Sequence, residues 1–180
     1  MSTELNFTET IEKGQLVFVG APRQYRNDCK AGAFKIGAGQ FVGKLLKMEV
    51  MAARQFSDEL FGYPFQPWLQ VIFADEGGFV SSILFKTESM DNFLEVYRQS
   101  LSNGQSLVTQ RLTARMAERA SENGKYYAVE FEIEGEGQFT ADIQQFLTDR
   151  PAGLFALNRG DNGRAANGSE GDDQAQDEMS

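Results

Sequence analysis

Between residues 68 and 134 the hydrophobic period of the chain switches from two to about 3.6 and back. Two apolar runs, 68–74 and 79–86, flank Asp75-Glu76-Gly77-Gly78, where the glycines supply the positive φ of a hairpin turn. Helical spacing follows: Phe93, Tyr97 and Leu101 fall at i, i+4 and i+8 and Leu94 joins their stripe. Ser89 is the expected N-cap, Asp91 complements the dipole in the first turn, and Asn103-Gly104 is the stop. Period two returns at 107–117, with Val108, Leu112, Ala114 and Met116 on one face. After Asn123-Gly124, residues Tyr127, Val129, Phe131 and Ile133 alternate with Glu130, Glu132 and Glu134, the mark of a half-buried strand. A fifth strand-like run, 41–54, comes first, with Leu46, Met48 and Val50 on one side. The order predicts a mainly β domain: a five-stranded Greek-key barrel with one helix between its third and fourth strands.

The remaining segments are assigned around that frame. Residues 1–14 carry little apolar periodicity and are expected to be flexible. A short extra strand is expected at 15–19. The basic, glycine-rich stretch 23–39 reads as a long ordered loop or an irregular hairpin. A last short helix is expected at 139–147, so the domain spans 15–157. From 158 to 180, low hydrophobicity and a net charge of −4 predict a disordered acidic tail. No run approaches the roughly 20 apolar residues that span a bilayer, and the polar start lacks a signal-peptide pattern. With Cys29 as the single cysteine, no internal disulfide can form. A soluble, cytoplasmic protein without membrane association is expected.

Catalytic signatures are missing. The chain has no histidine, which removes Ser-His-Asp and Cys-His chemistry and histidine metal sites. A lone Cys29 cannot build a sulfur-ligated zinc site. The run Gly37-Ala38-Gly39-Gln40-Phe41-Val42-Gly43-Lys44 fits neither the dinucleotide fingerprint nor the phosphate loop, and a strand follows it. Carboxylate clusters at 58–59, 75–76 and 130–134 read as solvated loops and strand faces. The expectation is a non-enzyme with no metal and no cofactor.

Charge is segregated along the chain. The total is −9, yet residues 13–48 carry +6. Single-strand nucleic-acid binders combine a cationic groove with aromatic rings on which bases stack. Candidate phosphate contacts are Arg23, Arg26, Lys30, Lys35, Lys44, Lys47, Arg111 and Arg115, with Tyr25, Phe34, Trp68 and Phe79 as stacking rings. Phe41 is interleaved with the same basic block. Arg111, Arg115 and Arg119 share one strand face, which reads either as a phosphate track or as a solvated face paired with neighbouring glutamates. Both faces of the second and third strands are apolar, which suits a stacking surface or one covered by the N-terminal segment or a partner subunit.

This strand order with its inserted helix, the basic and aromatic surface and the acidic C-terminus resemble bacterial and phage single-stranded DNA-binding proteins of the OB-fold. The resemblance is architectural and covers residues 41–134 and 158–180. It implies low-specificity binding of single-stranded nucleic acid, DNA ahead of RNA, on open strand faces, and a homo-oligomer. It also implies docking of replication or repair proteins on the acidic tail, although Asp177-Glu178-Met179-Ser180 only approximates the apolar tip of that family. Residues 41–134 are themselves −4, so a cationic groove has to draw on the N-terminal block. Two rival readings stand beside it: an assembly module that buries the apolar barrel face, and an acidic inhibitor that mimics nucleic acid.

Overall fold

A computed structural model describes residues 15–150 and 153–155. The expectations for the flexible start and the acidic tail fall outside these residues. The strands are β1 (Arg23–Asp28), β2 (Ala33–Ile36), β3 (Gln40–Gly43), β4 (Leu45–Asp58), β5 (Gln66–Asp75), β6 (Val80–Phe85), β7 (Gln110–Ser121) and β8 (Gly124–Glu136). The helices are α1 (Thr87–Ser102) and α2 (Thr140–Thr148), and a 3-10 turn, Leu107–Thr109, leads into β7. Neither helix is long and apolar enough to cross a membrane.

All eight strands form one curled half-barrel sheet in the order β3-β2-β1-β6-β5-β4-β7-β8. Within it β4, β5 and β6 follow one another antiparallel, and β7 returns through α1 to lie beside β4. That is a Greek-key connection. Mainly β is therefore right, but the sheet has eight strands in place of the five expected for the Greek-key barrel, and it curls only into a half-barrel. The stretch 23–39 supplies β1 and β2, and β1 pairs parallel with β6, Arg23 opposite Ser81 and Gln24 opposite Ser82. The expected strand at 15–19 shrinks to bridges, with Val17 parallel to Phe79.

Closure comes from side chains and a turn rather than from a strand pair. The outer edge of β8 presents main-chain groups that need partners once buried. Ser89 and Asn92, one turn apart on α1, provide them: Val129 N donates to Ser89 Oγ at 2.9 Å and Asn92 Nδ2 donates to Val129 O at 2.9 Å. Ser89 is thus not the N-cap; α1 begins after Lys86, which makes no side-chain cap. Phe93 enters the barrel between Phe85 and Phe131, with ring centroids 6.4 and 5.2 Å away. Because the helix turns this face inward, Tyr97 and Leu101 of the expected stripe remain 43% and 55% exposed. Further along β8, Tyr127 N donates to Cys29 O of the β1–β2 turn at 2.9 Å. Gly32 in that turn has φ +65°, and a Cβ there would lie 2.7 Å from the Tyr127 ring.

The inner core gathers Phe34, Met48, Val71, Phe73, Phe85, Phe93, Leu112 and Val129. A second apolar layer covers part of the outer face: Met51, Ile72, Ala74 and Val80 pack under Phe139, Ile143, Phe146 and Leu154, joined by Leu16 and Phe18. Buried Glu49 anchors α2, accepting from Gln138 N at 2.6 Å and Phe139 N at 2.8 Å.

Candidate nucleic-acid interface

Strand alternation sorts β5 into Leu69, Val71 and Phe73 inside and Trp68, Gln70 and Ile72 outside. Its outer face divides in two. The half around Ile72 lies under α2; the half around Gln70 lies outside α2, with Gln70 and Ser82 themselves buried. Pairing register then names the neighbours: Gln70 faces Leu84 of β6 and Arg54 of β4, Ile72 faces Ser82, and Ser82 faces Gln24 of β1. Arg26 pairs with Lys35 of β2, and Lys35 with Phe41 of β3. Phe56, opposite Trp68, completes the row on β4.

Polar side chains on this face are tied together. Arg54 Nε donates to Gln70 Oε1 at 2.8 Å, and Gln70 Nε2 donates to Ser82 Oγ at 3.2 Å. The Arg54 guanidinium lies 5.3 Å from the Phe56 ring centroid and 4.8 Å from that of Phe155. Lys86 Nζ sits 3.0 Å from the Tyr63 ring centroid and 5.9 Å from that of Trp68. Trp68 itself is only 3% exposed, roofed edge-on by Phe61 and Tyr63, and its Nε1 donates to Asp58 O at 3.1 Å. The roof is the β4–β5 loop, where Phe61, Tyr63 and Phe65 all reach solvent. Phe61 holds φ at +55°, a left-handed conformation that costs a bulky residue about 1–2 kcal/mol. At the other end Phe41 is 69% exposed. Among the described residues, Arg26, Lys35, Arg54 and Lys86 share this face with Asp28 and, at its margin, Asp58. Lys35 Nζ donates to Asp28 Oδ2 at 2.7 Å, and that bond with two main-chain donors holds the Asp28 carboxyl below its ordinary pKa.

Of the residues expected from sequence, Arg26, Lys35 and Trp68 come together here, with Trp68 beneath the loop rings. Lys30 is exposed in the β1–β2 turn. Four others lie outside this face: Tyr25 and Phe34 are buried, and Arg23 and Phe79 are half-buried. Phe34 is inside the core. Arg23 Nη1 donates to Asp75 Oδ2 at 3.2 Å and its guanidinium covers Phe79, 3.7 Å from the ring centroid. Tyr25 OH donates to the same oxygen at 2.9 Å. Burial first, then the Asp75 charge, push the Tyr25 phenol up to about 12.

Lys44, Lys47, Arg111 and Arg115 lie beyond α2 on the β4–β7–β8 side. The arginines do share one strand face, but it is a neutralised ladder. Arg115 pairs with Glu130 at 3.1 Å, Arg119 with Glu130 at 2.9 Å and Glu88 at 2.7 Å, and Arg111 with Glu134 at 3.8 Å. Lys47 and Thr113 both donate to Glu134. These contacts hold Glu130 and Glu134 below the usual carboxylate range, with Arg119 and Lys47 the leading causes. Lys44 stands 6.0 Å from the Tyr127 ring centroid.

Sequence reading missed Arg54 and Phe56 for a definite reason. Register shifts between Val50 and Ala52, and a bulge moves every later residue to the opposite face. Leu46, Met48 and Val50 point inward, whereas Ala52, Arg54 and Phe56 point outward. Lys86 and Tyr63 are brought together only by the folded loop. Compared with family models, curated proteins and solved structures, the chain finds no match.

Proposed function

We propose that the chain is a partly open OB-type barrel that binds single-stranded nucleic acid, DNA ahead of RNA, with little sequence preference. One observation carries the reading: the strands and loop that flank the outer face of β5 and β6 outside α2 bring Arg26, Lys35, Arg54 and Lys86 among Phe41, Phe56 and the loop rings. In OB-folds that strand pair and its adjoining loop form the usual oligonucleotide surface. From β3 to β4 the face crosses five strand spacings, about 24 Å, which suits a short site near the lower end of the roughly 4–16 nucleotides bound per OB unit. The acidic tail, as regulator or docking segment for replication or repair proteins, remains part of this proposal.

Fluorescence anisotropy with labelled oligo-dT at several salt concentrations tests it. With Lys35 already held by Asp28, phosphate contacts from Arg26, Arg54 and Lys86 give a slope of log K against log salt near −2, at about −0.7 per contact for single strands. Arg54→Ala and Lys86→Ala each reduce the slope by about 0.7. Phe41→Ala weakens binding by about 1–3 kcal/mol, the usual worth of one stacked base. Absence of binding at micromolar protein and low salt refutes the proposal.

A further inference from the structure

The two edges of β4 are used unequally. One edge pairs with β5 over residues 48–58, whereas the other pairs with β7 only over 45–49. Past the bulge, the turn Leu107–Thr109 packs beside the strand, and Ala53, Leu94, Tyr97, Leu101 and Leu107 line an apolar groove there. Residues 54–58 have no strand partner on this edge among the described residues. The segment reads Arg54-Gln55-Phe56-Ser57-Asp58. It lacks the proline or lysine that commonly blunts an open edge.

We infer that this edge pairs with the same edge of a second copy of the chain, antiparallel about a two-fold axis through Phe56. Register selects that centre. Residues opposite one another in antiparallel strands share a face, so the axis must pass through a residue. An axis through Arg54 or Asp58 sets like charges against each other, and axes through Gln55 or Ser57 leave both charges unmatched. Only Phe56 puts Arg54 opposite Asp58 at both ends of the seam, with the two Phe56 rings across the middle. The pairing is isologous, as a closed dimer requires. The incoming strand then runs out past Ala53 along the groove where Tyr97 and Leu101 are exposed. Five residues span only about 17 Å, so the dimer belongs to the weaker class of interfaces. The two Phe56 rings would lie side by side with one Arg54 at each end of the seam, making one continuous outer face; the pairing itself does not depend on nucleic acid.

Sedimentation velocity and light scattering on the full chain at tens of micromolar read the outcome. The wild type sediments as a dimer. Arg54→Asp and Asp58→Arg each create two like-charged cross-strand pairs per dimer and weaken it about tenfold, equivalent to ~1.4 kcal/mol. Unchanged circular dichroism and Trp68 emission establish that each variant is folded. An equimolar mixture of the two variants regains dimer, because every cross-strand pair is then Asp against Arg. The double variant Arg54→Asp/Asp58→Arg likewise self-associates. A monomeric wild type, which is the outcome if the chain's own ends cover this edge, overturns the inference. So does a dimer indifferent to the single changes, or folded variants whose mixture stays monomeric.

Discussion

Replacing Gly32 by alanine tests how the half-barrel is closed. Two costs act there. The left-handed backbone at φ +65° charges an alanine about 1–2 kcal/mol. The new Cβ would also stand 2.7 Å from the Tyr127 ring; because a ring tip can give way, about 1–2 kcal/mol is a reasonable overpacking penalty. Gly32→Ala should thus lower stability by about 2–4 kcal/mol. Gly37 is the internal control, because its φ is +56° with nothing within 4 Å of a built Cβ. Gly37→Ala should cost only the backbone part, about 1–2 kcal/mol. Urea unfolding followed by emission of Trp68, the only tryptophan, gives both values. Adding Tyr127→Ala to each should bring the Gly32 cost down to the Gly37 cost, a coupling of about 1–2 kcal/mol within the range for contacting residues. Equal losses for Gly32→Ala and Gly37→Ala in the wild-type background would show that the turn does not press on β8, and the account of closure would fail.

Ser89→Ala removes the acceptor for the buried Val129 N–H and should cost about 1–3 kcal/mol, with faster hydrogen exchange at that amide; unchanged exchange argues against the helix-sealed edge. Glu49→Ala leaves the main-chain donors of Gln138 and Phe139, at the entry to α2, without their acceptor. A loss of at least about 2 kcal/mol is expected in urea unfolding, and a neutral result contradicts the anchoring role. Glu130 and Glu134 titrate lower in the fold than in the open chain. Their contribution is full above the unfolded value, about 4.3, and is lost as pH falls through the folded one. Stability measured from pH 6 down to pH 3 should therefore decline less steeply in Glu130→Gln than in the wild type, and parallel curves would refute the pairing.

Local pattern made much of this molecule legible. The apolar runs of β5 and β6 and the alternation in β8 appear close to where the sequence places them, because period two against a core is a local property. Asn103-Gly104 closes α1 for an equally local reason. The helix face was not legible. Phe93 is a large apolar residue in either reading, but Ser89 and Asn92 turn inward because β8 has unsatisfied main-chain groups there. Tyr97 and Leu101 lose to that need.

The candidate site was legible only in part. The charge segregation pointed to the 13–48 block, and Arg26 and Lys35 do lie on the open face. Tyr25 and Phe34, from the same block, alternate to its inner side. Arg111 and Arg115 were correctly given one face, yet which glutamates stand opposite depends on the β7–β8 register.

By itself the sequence determined that this is a mainly β domain with a helix between the β5–β6 and β7–β8 hairpins, since hydrophobic period and turn residues act over a few positions. Three things belonged to the tertiary structure: the parallel docking of β1 on β6, the bulge that turns Arg54 and Phe56 outward, and the partners of each arginine. All three depend on which main-chain groups and side chains meet across tens of residues, and no local period records that.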